Sequence, residues 1–323
     1  MAPIDEVMES LALNGCEDGS LPSQDLVGEV VHRAWMSEFG PSRAYLYILI
    51  QTFLRYCERT DVPIESEALL ELVMIAMTRK PKDAESPDYA CYLSFQVHGS
   101  WLRTRVYPKH NDVGVRLWEA GAFLAEYLLA NPTLVDGKRV VELGGGIGMT
   151  AIVVAGCCGA EQVHCTDYTE ATLVNMVHNI EMSQPWIRSV RQCQSTADLV
   201  TSGYLEWNEC AKDLDNEVVQ SMASLEALDE ADVILAADVL YDVEAIKPLV
   251  DVMERSLCKP DNCALVASTV RNRATFNTFV EELTKHQIST NTLQVNLNDI
   301  PKVFYTRFNQ PRSDIRLFLL RAA

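Results

Sequence analysis

The sequence predicts an α/β fold in which a mostly parallel sheet carries helices on both faces. From residue 139 onward, short apolar runs alternate with segments of helical periodicity, as parallel strands and their crossover helices do. Four glycines lie within residues 144–148, between a strand-like run and an apolar helical run. Acidic or aromatic residues follow several predicted strands, at the end where α/β sheets bind their ligands.

Length and composition bound the protein's class. The 323 residues are 48% hydrophobic and carry a formal net charge of −18. That length suits two domains, and that charge disfavours a nucleic-acid partner held through its phosphates. It suits a cationic partner, although an acidic surface also simply keeps a protein soluble.

The cysteine and histidine patterns bear on metal binding and on the cellular compartment. Ten cysteines form no C-x-x-C pair and six histidines are scattered, so we expect no metal site. The free cysteines and the lack of a signal peptide predict a reducing, cytoplasmic setting. No apolar run reaches the roughly 18–20 residues that span a bilayer, so we expect no membrane contact. We expect a monomer.

The first 85 residues predict a flexible N-terminus at 1–24 and a helical domain at 25–85. Leu26, Val30 and Ala34 recur at helical spacing, and Gly40-Pro41 ends that run. A second helix follows Ser42, and a third covers 64–77. We expect this domain to recognise a folded substrate.

Residues 86–323 predict the second domain. It begins with a β-hairpin at 89–97 and 101–107, where His98-Gly99-Ser100 supplies the turn. Helices are then predicted at 117–129, 149–158, 169–182, 243–257 and 275–285. Strands are predicted at 140–143, 163–167, 204–207, 231–237, 264–270, 292–295 and 315–320. This gives a Rossmann-like, seven-stranded sheet, with an apparent insertion at 184–203 and an acidic, solvated loop-helix region at 206–232.

The glycine-rich turn is the first candidate binding site. Glycine lets a backbone approach a ligand closely, and the helix after the turn offers free N–H groups. Residues 146–151 formally fit the dinucleotide fingerprint G-x-G-x-x-G/A. Glu142 with Gly144, Gly146 and Gly148 instead reads E-x-G-x-G-x-G, which resembles motif I of class I S-adenosylmethionine-dependent methyltransferases.

The chemistry of two acids favours that resemblance. A carboxylate suits the ammonium and sulfonium of S-adenosylmethionine, whereas it would repel a pyrophosphate. Asp167 ends the next strand, where an acid accepts hydrogen bonds from ribose hydroxyls in both cofactor families. Glu142 therefore discriminates better between the two cofactors. The alternative is a tight strand-to-helix turn that binds no ligand.

Further motifs resemble the seven-β-strand protein-lysine methyltransferases. Residues 238–241 read D-x-x-Y after the fourth strand, residues 118–120 read W-E-A where the family has W-D-A, and residues 205–207 read L-x-W. Residues 236–241, 244–246 and 269–272 resemble the branch of this family that acts on eukaryotic elongation factor 2. Glu119, Gly145 and the 184–203 stretch depart from the family pattern, and Trp186 is a fallback for Trp207.

The resemblance implies a set of site residues. Cofactor contacts fall on Trp118, Glu142, Gly144, Gly145, Gly146, Asp167, Trp207 and Ala237, and catalytic roles fall on Asp238 and Tyr241. The two tryptophans could instead be core residues, and Asp238 could cap the helix near 243.

The implied activity is protein-lysine N-methylation from S-adenosylmethionine, with elongation factor 2 as the first substrate candidate. A chaperone or another translation factor is the nearest alternative substrate. A nicotinamide-dependent reductase and a catalytically inert binding module are weaker alternatives.

Overall fold

The chain folds into two compact units. One is drawn from Met1–Ser94 with Tyr107–Asn111, and the other from Phe95–Val106 with Asp112–Ala323. The computed structural model describes residues 28, 43–61, 63–78, 89–193, 199–209, 217–304 and 311–323. The expected flexible stretch 1–24 and nearly all of the first predicted helix lie outside these residues. The predicted domain limits at 24 and 85 stay a prediction.

Two helices make up the described core of the first unit. They are α1 (Arg43–Thr60) and α2 (Glu67–Thr78). Leu46, Ile50 and Phe53 share one face of α1 and pack in one buried cluster with Leu69 of α2. The second and third helices predicted from the sequence are both present.

A β-hairpin follows, formed by β1 (Cys91–Val97) and β2 (Ser100–Val106). His98 and Gly99 both have positive φ, 49° and 75°. Two consecutive residues in that conformation match the twist of a hairpin turn. The hairpin predicted from the sequence is confirmed.

The second unit alternates helices and strands as predicted. Its helices are α3 (Glu119–Ala130), α4 (Met149–Cys157), α5 (Glu170–Arg191), α6 (Glu217–Glu230), α7 (Ile246–Leu257) and α8 (Arg273–Lys285). Its strands are β3 (Arg139–Leu143), β4 (Gln162–Asp167), β5 (Val200–Tyr204), β6 (Val233–Ala237), β7 (Cys263–Thr269), β8 (Ile288–Thr292) and β9 (Ile315–Ala322).

The seven strands form one sheet in the order β5-β4-β3-β6-β7-β9-β8. Neighbours from β5 to β7 are parallel, and β9 is antiparallel to β7 and β8. The strand order reverses between β3 and β6, which is the point where open α/β sheets bind ligands. Leu143 pairs with Thr166 on one side and Ala236 on the other. The residues that follow β3, β4 and β6 therefore emerge side by side.

Two sequence predictions about residues 184–207 are wrong. No insertion begins at 184, because α5 continues to Arg191 with Pro185 inside it. Trp186 on that extension is buried, and a Cβ added to Gly156 of α4 would lie 2.5 Å from its ring. The third strand lies at Val200–Tyr204 instead of 204–207. Its polar, β-branched sequence carries no apolar run that would have indicated an edge strand.

One smaller correction concerns a late strand. The strand predicted at 292–295 lies at Ile288–Thr292. The acidic loop-helix region predicted at 206–232 contains α6. Leu228 of that helix lies in the core, whereas Glu226, Asp229 and Glu230 are exposed.

Candidate active site

The glycine-rich turn after β3 packs tightly against Cys165 on one side and against the backbone of Gly114 on another. A Cβ at Gly145 would lie 2.2 Å from Cys165 Sγ of β4, so only glycine fits there without displacing that side chain. Gly146 has φ of 56°, and a Cβ there would lie 3.0 Å from the carbonyl oxygen of Gly114. Gly145 therefore packs directly against the cysteine of the neighbouring strand.

Glu142 lies beneath this turn and is 2% exposed. Its Oε2 accepts hydrogen bonds from the backbone N–H of Ala151 at 3.0 Å and from Cys165 Sγ at 3.5 Å. Burial raises the pKa of Glu142 to about 7. The carboxyl group thus ties the turn to the first turn of α4, and its direct contact with a cofactor stays a prediction.

Asp167 stands at the end of β4, beside the glycine turn. Its Oδ2 accepts the backbone N–H of Gly146 at 3.0 Å, and its Oδ1 accepts that of Tyr168 at 2.8 Å. Burial raises its pKa, these two hydrogen bonds lower it, and the nearby Asp112 raises it further. These hydrogen bonds fix the carboxylate beside the glycine turn, and its contact with the cofactor's ribose stays a prediction.

A strap at Asp112–Val115, which the sequence analysis missed, crosses the glycine turn. Asp112 Oδ1 accepts the N–H of Gly114 at 2.9 Å. Its Oδ2 accepts hydroxyl hydrogens from Thr169 and, at 3.2 Å, from Thr172 at the start of α5. The D-x-G pattern of an Asx turn was the signal available in the sequence. Asp112 therefore adds a second carboxylate next to Asp167.

The two predicted tryptophans flank the site on different elements. Trp118 precedes α3, and its Nε1 donates to the carbonyl oxygen of Val113 at 3.0 Å. Trp207 begins a single 3-10 turn after β5, and a Cβ at Gly144 would lie 3.6 Å from its ring. Both rings are partly exposed, whereas the fallback Trp186 belongs to the core. Trp207 also packs against the hydrophobic core, so its contact with a cofactor stays a prediction.

Asp238 leaves the end of β6 in a left-handed conformation, with φ of 54°. Aspartate tolerates this region better than most residues, but such a conformation is uncommon and often functional. Its backbone N–H donates to Ala267 of β7 at 2.9 Å, and its Oδ1 accepts the N–H of Thr269 at 3.2 Å. Helix α7 begins eight residues later with Ala245 at its cap. The alternative in which Asp238 caps that helix is therefore wrong.

The second carboxylate oxygen of Asp238, Oδ2, is open in the sense that no described group donates a hydrogen bond to it. Oδ2 is buried and has no hydrogen-bond partner among the residues that the structure describes. The guanidinium of Arg271 is its nearest charge, at 3.6 Å. Burial raises the pKa of Asp238, and the Thr269 N–H and Arg271 lower it. A buried carboxylate oxygen without a donor is costly, so it indicates a ligand position.

Tyr241 and Ala237 complete the set. The Tyr241 side chain is 62% exposed, and partial desolvation together with Tyr168 and Asp167 raises its pKa. The phenol therefore stays protonated at neutral pH. Ala237 is partly buried at the end of β6, with its Cβ facing Gly121 of α3.

The site can hold a cationic ligand that carries hydroxyl groups. Asp112 and Asp167 supply acceptors beside the glycine turn, Asp238 supplies an open oxygen, and two aromatic rings flank them. These acceptors fit S-adenosylmethionine, whose α-ammonium and sulfonium groups are positively charged and whose ribose carries hydroxyl groups.

Comparison with known proteins identifies the family. A family model described as lysine methyltransferase matches residues 106–286. The chain belongs to this lysine methyltransferase family. S-adenosylmethionine is its cofactor.

Individual relatives agree with this family. The protein-lysine N-methyltransferase EFM3 of Chaetomium thermophilum is 25% identical over 284 residues, covering 81% of this chain and 80% of that protein. The protein-lysine N-methyltransferase EEF2KMT of Bos taurus is 29% identical over 277 residues, covering 80% and 76%. Among solved structures, a 16S rRNA methyltransferase of T. thermophilus is 14% identical with a TM-score of 0.45, covering 73% and 52%. A similarity at that level supports no argument about this chain.

Two features are absent from the part of the chain that the structure describes. Within it, no helix is both long and apolar enough to cross a membrane. The same part of the chain contains no group of three or more potential metal-binding side chains.

Proposed function

We propose that the protein transfers methyl groups from S-adenosylmethionine to a lysine side chain of a protein substrate, with eukaryotic elongation factor 2 as the first candidate. The observation that carries the proposal is the buried, open Oδ2 of Asp238 at the strand-order reversal, close to the glycine turn. We propose further that the protein acts in the cytoplasm as a monomer, and that its N-terminal helical region recognises the substrate.

The substrate amine must arrive neutral for methyl transfer. A free lysine has a pKa of about 10.4, so about one amine in 2500 is neutral at pH 7, a deficit of about 4.6 kcal/mol. The cofactor supplies a methyl group bound to a sulfonium. Asp238 and Tyr241 can accept hydrogen bonds from the amine and direct its lone pair. Their main role is therefore orientation.

The elongation factor 2 assignment rests on sequence similarity. Residues 236–241 and 269–272 resemble the branch of the family that acts on this factor, and relatives bear the name EEF2KMT. The net charge of −18 also suits a cationic lysine-bearing surface. Another translation factor or a chaperone remains the second candidate, because the family includes enzymes for both.

The test is mass spectrometry of purified elongation factor 2 after incubation with the enzyme and S-adenosylmethionine. We expect one lysine to gain mass in steps of a methyl group. A parallel incubation of cell lysate with labelled cofactor would reveal a different substrate as a band of another size. No label in any protein would contradict the methyltransferase proposal and favour an inert binding module.

A substitution of Asp238 tests the catalytic assignment. Asp238→Asn should lower kcat by at least about 100-fold, because the amide presents a donor as well as an acceptor to the amine. The dissociation constant of S-adenosylhomocysteine, measured by calorimetry, should stay within about twofold of the wild-type value. The exposed Asp299→Asn is the matched control and should behave as wild type. Unchanged turnover in Asp238→Asn would contradict the assignment.

A further inference from the structure

Arg271 lies at the active site, although no sequence motif assigned it a role there. Its guanidinium nitrogen is 3.6 Å from Asp238 Oδ2, and its Cζ is 5.5 Å from the centre of the Trp118 ring. The arginine follows β7, whereas the tryptophan precedes α3 and the aspartate follows β6. Three separate elements therefore converge on one cation.

The length of the Arg271–Asp238 contact is informative. At 3.6 Å the two groups attract each other electrostatically but do not form a hydrogen bond. The Asp238 side chain is only 10% exposed, and its Oδ2 still lacks a hydrogen-bond partner. Arginine usually grips a carboxylate with two short hydrogen bonds. Here the face of Trp118 holds the guanidinium where it balances the charge and leaves Oδ2 open.

Other titratable groups lie on the elements next to Asp238 in the fold. They are Tyr241 beyond β6, Glu119 on α3, Glu142 on β3 and Arg316 on β9. Glu119 adjoins Ala120, whose N–H lowers the pKa of Asp238. Glu142 hydrogen-bonds Ala151 and Cys165, and Arg316 is exposed. Among the described residues, Arg271 is the cation within ion-pair distance of Asp238.

We propose that Arg271 is a positioning residue for methyl transfer: it balances the charge of Asp238 and leaves Oδ2 to accept a hydrogen bond from the substrate amine. The proposal rests on the proposed lysine methyltransferase function. An unbalanced carboxylate would hold the substrate as an ammonium ion, because an opposite charge nearby favours the charged form. An ammonium ion has no lone pair to attack a methyl group. A balanced carboxylate instead directs a neutral amine.

The test is the pH profile of kcat, measured at a saturating concentration of the protein substrate, in charge-removing and charge-retaining variants. In Arg271→Gln the pH of half-maximal kcat should rise by about one unit, because losing the cation raises the pKa of both Asp238 and the bound amine. At about pH 7.5 this corresponds to a fall of about tenfold, recovered as the pH rises. Arg271→Lys keeps the charge and should retain the wild-type profile.

Two controls separate this role from a structural one. The exposed Arg273→Gln, two residues away at the start of α8, should leave the profile unchanged. The dissociation constant of S-adenosylhomocysteine should be unchanged in Arg271→Gln. An unshifted profile in Arg271→Gln would overturn the proposal even if kcat fell, and so would a parallel loss of cofactor affinity.

A second measurement needs no substrate. Asp238→Asn should be less destabilising, by at least about 2 °C in Tm, in an Arg271→Gln background than in the wild type, because it removes a carboxylate left without its cation. Additive changes in Tm would overturn the Arg271 assignment. A wild-type enzyme that methylates no lysine would instead contradict the proposed function. The Tm comparison of the single and double variants would then test only the charge balance between Arg271 and Asp238.

Discussion

Replacing Glu142 with glutamine should change how the stability of the protein depends on pH. The Glu142 carboxyl group is fully buried beneath the glycine turn and accepts a hydrogen bond from the Ala151 N–H at 3.0 Å. Burial raises its pKa from 4.5 to about 7, even though its hydrogen bonds with Thr150, Cys165 and Ala151 act in the opposite direction. The unfolded chain therefore releases this proton near pH 4.5, and the folded protein keeps it until about pH 7.

The sign and size of the effect follow from that difference. The folded state binds the proton more tightly, so the stabilisation from Glu142 is fully present below pH 4.5 and is lost as the pH rises through about 7. At about 1.4 kcal/mol for each pKa unit, the loss is about 3 kcal/mol. The amide in E142Q does not titrate. The free energy of unfolding of E142Q minus that of the wild type should therefore increase by about 3 kcal/mol between about pH 4.5 and pH 8.

Urea denaturation of both proteins at several pH values would measure this difference. Glu281→Gln on the exposed face of α8 is the matched control, and its difference from the wild type should not vary with pH. A Glu142→Gln difference that stays constant to within about 0.5 kcal/mol, or that decreases as the pH rises, would refute the reasoning. The carboxyl group would then be ionised in the folded protein well below pH 7, and burial would not control it.

Three further substitutions test how the site is supported. Gly145→Ala should lower the free energy of unfolding by about 2 kcal/mol, because the new Cβ overpacks against Cys165 Sγ. In a Cys165→Ala background, urea denaturation should show that most of this loss is relieved. Fully additive effects of the two substitutions would contradict the contact. Glu126→Gln should cost about 3 kcal/mol, because it removes the charge that pairs with the largely buried Arg312 at 3.2 Å, and an unchanged denaturation midpoint would argue against the ion pair. Trp186→Leu should lower stability by about 3 kcal/mol while the S-adenosylhomocysteine dissociation constant stays within about twofold. A selective loss of cofactor affinity would instead restore Trp186 as a site residue.

Much of the fold could be read from periodicity. The alternation after residue 139 predicted the parallel sheet, because buried parallel strands are continuous apolar runs that contrast with the helices between them. The same reasoning failed at β5, whose sequence Val-Thr-Ser-Gly-Tyr has no apolar run. It also ended α5 too early, because the polar residues and Pro185 that follow position 182 interrupt the helical pattern, although Trp186 and Ile187 enter the core. An edge strand and a long surface helix obtain their stability from contacts that a local window does not contain.

The candidate site divides in a similar way. The residues next to strand ends, such as Asp167 and Asp238, could be located from the sequence because parallel strands end at a common edge. Asp112 could not be located there, since its importance comes from a strap that returns across the glycine turn. Arg271 lies in the stretch 269–272 that resembles the family, but no motif indicates its role. That role depends on contacts with two other elements.

By itself the sequence determined the sheet, the glycine turn and the acids at its edge, because each of these follows from local spacing and side-chain chemistry. Only the tertiary structure decided which way the acids face. It turned Glu142 into the core and left one oxygen of Asp238 open beside Arg271, a cation in the loop that follows β7. Burial and charge pairing arise between segments far apart in the chain, so no local pattern encodes them.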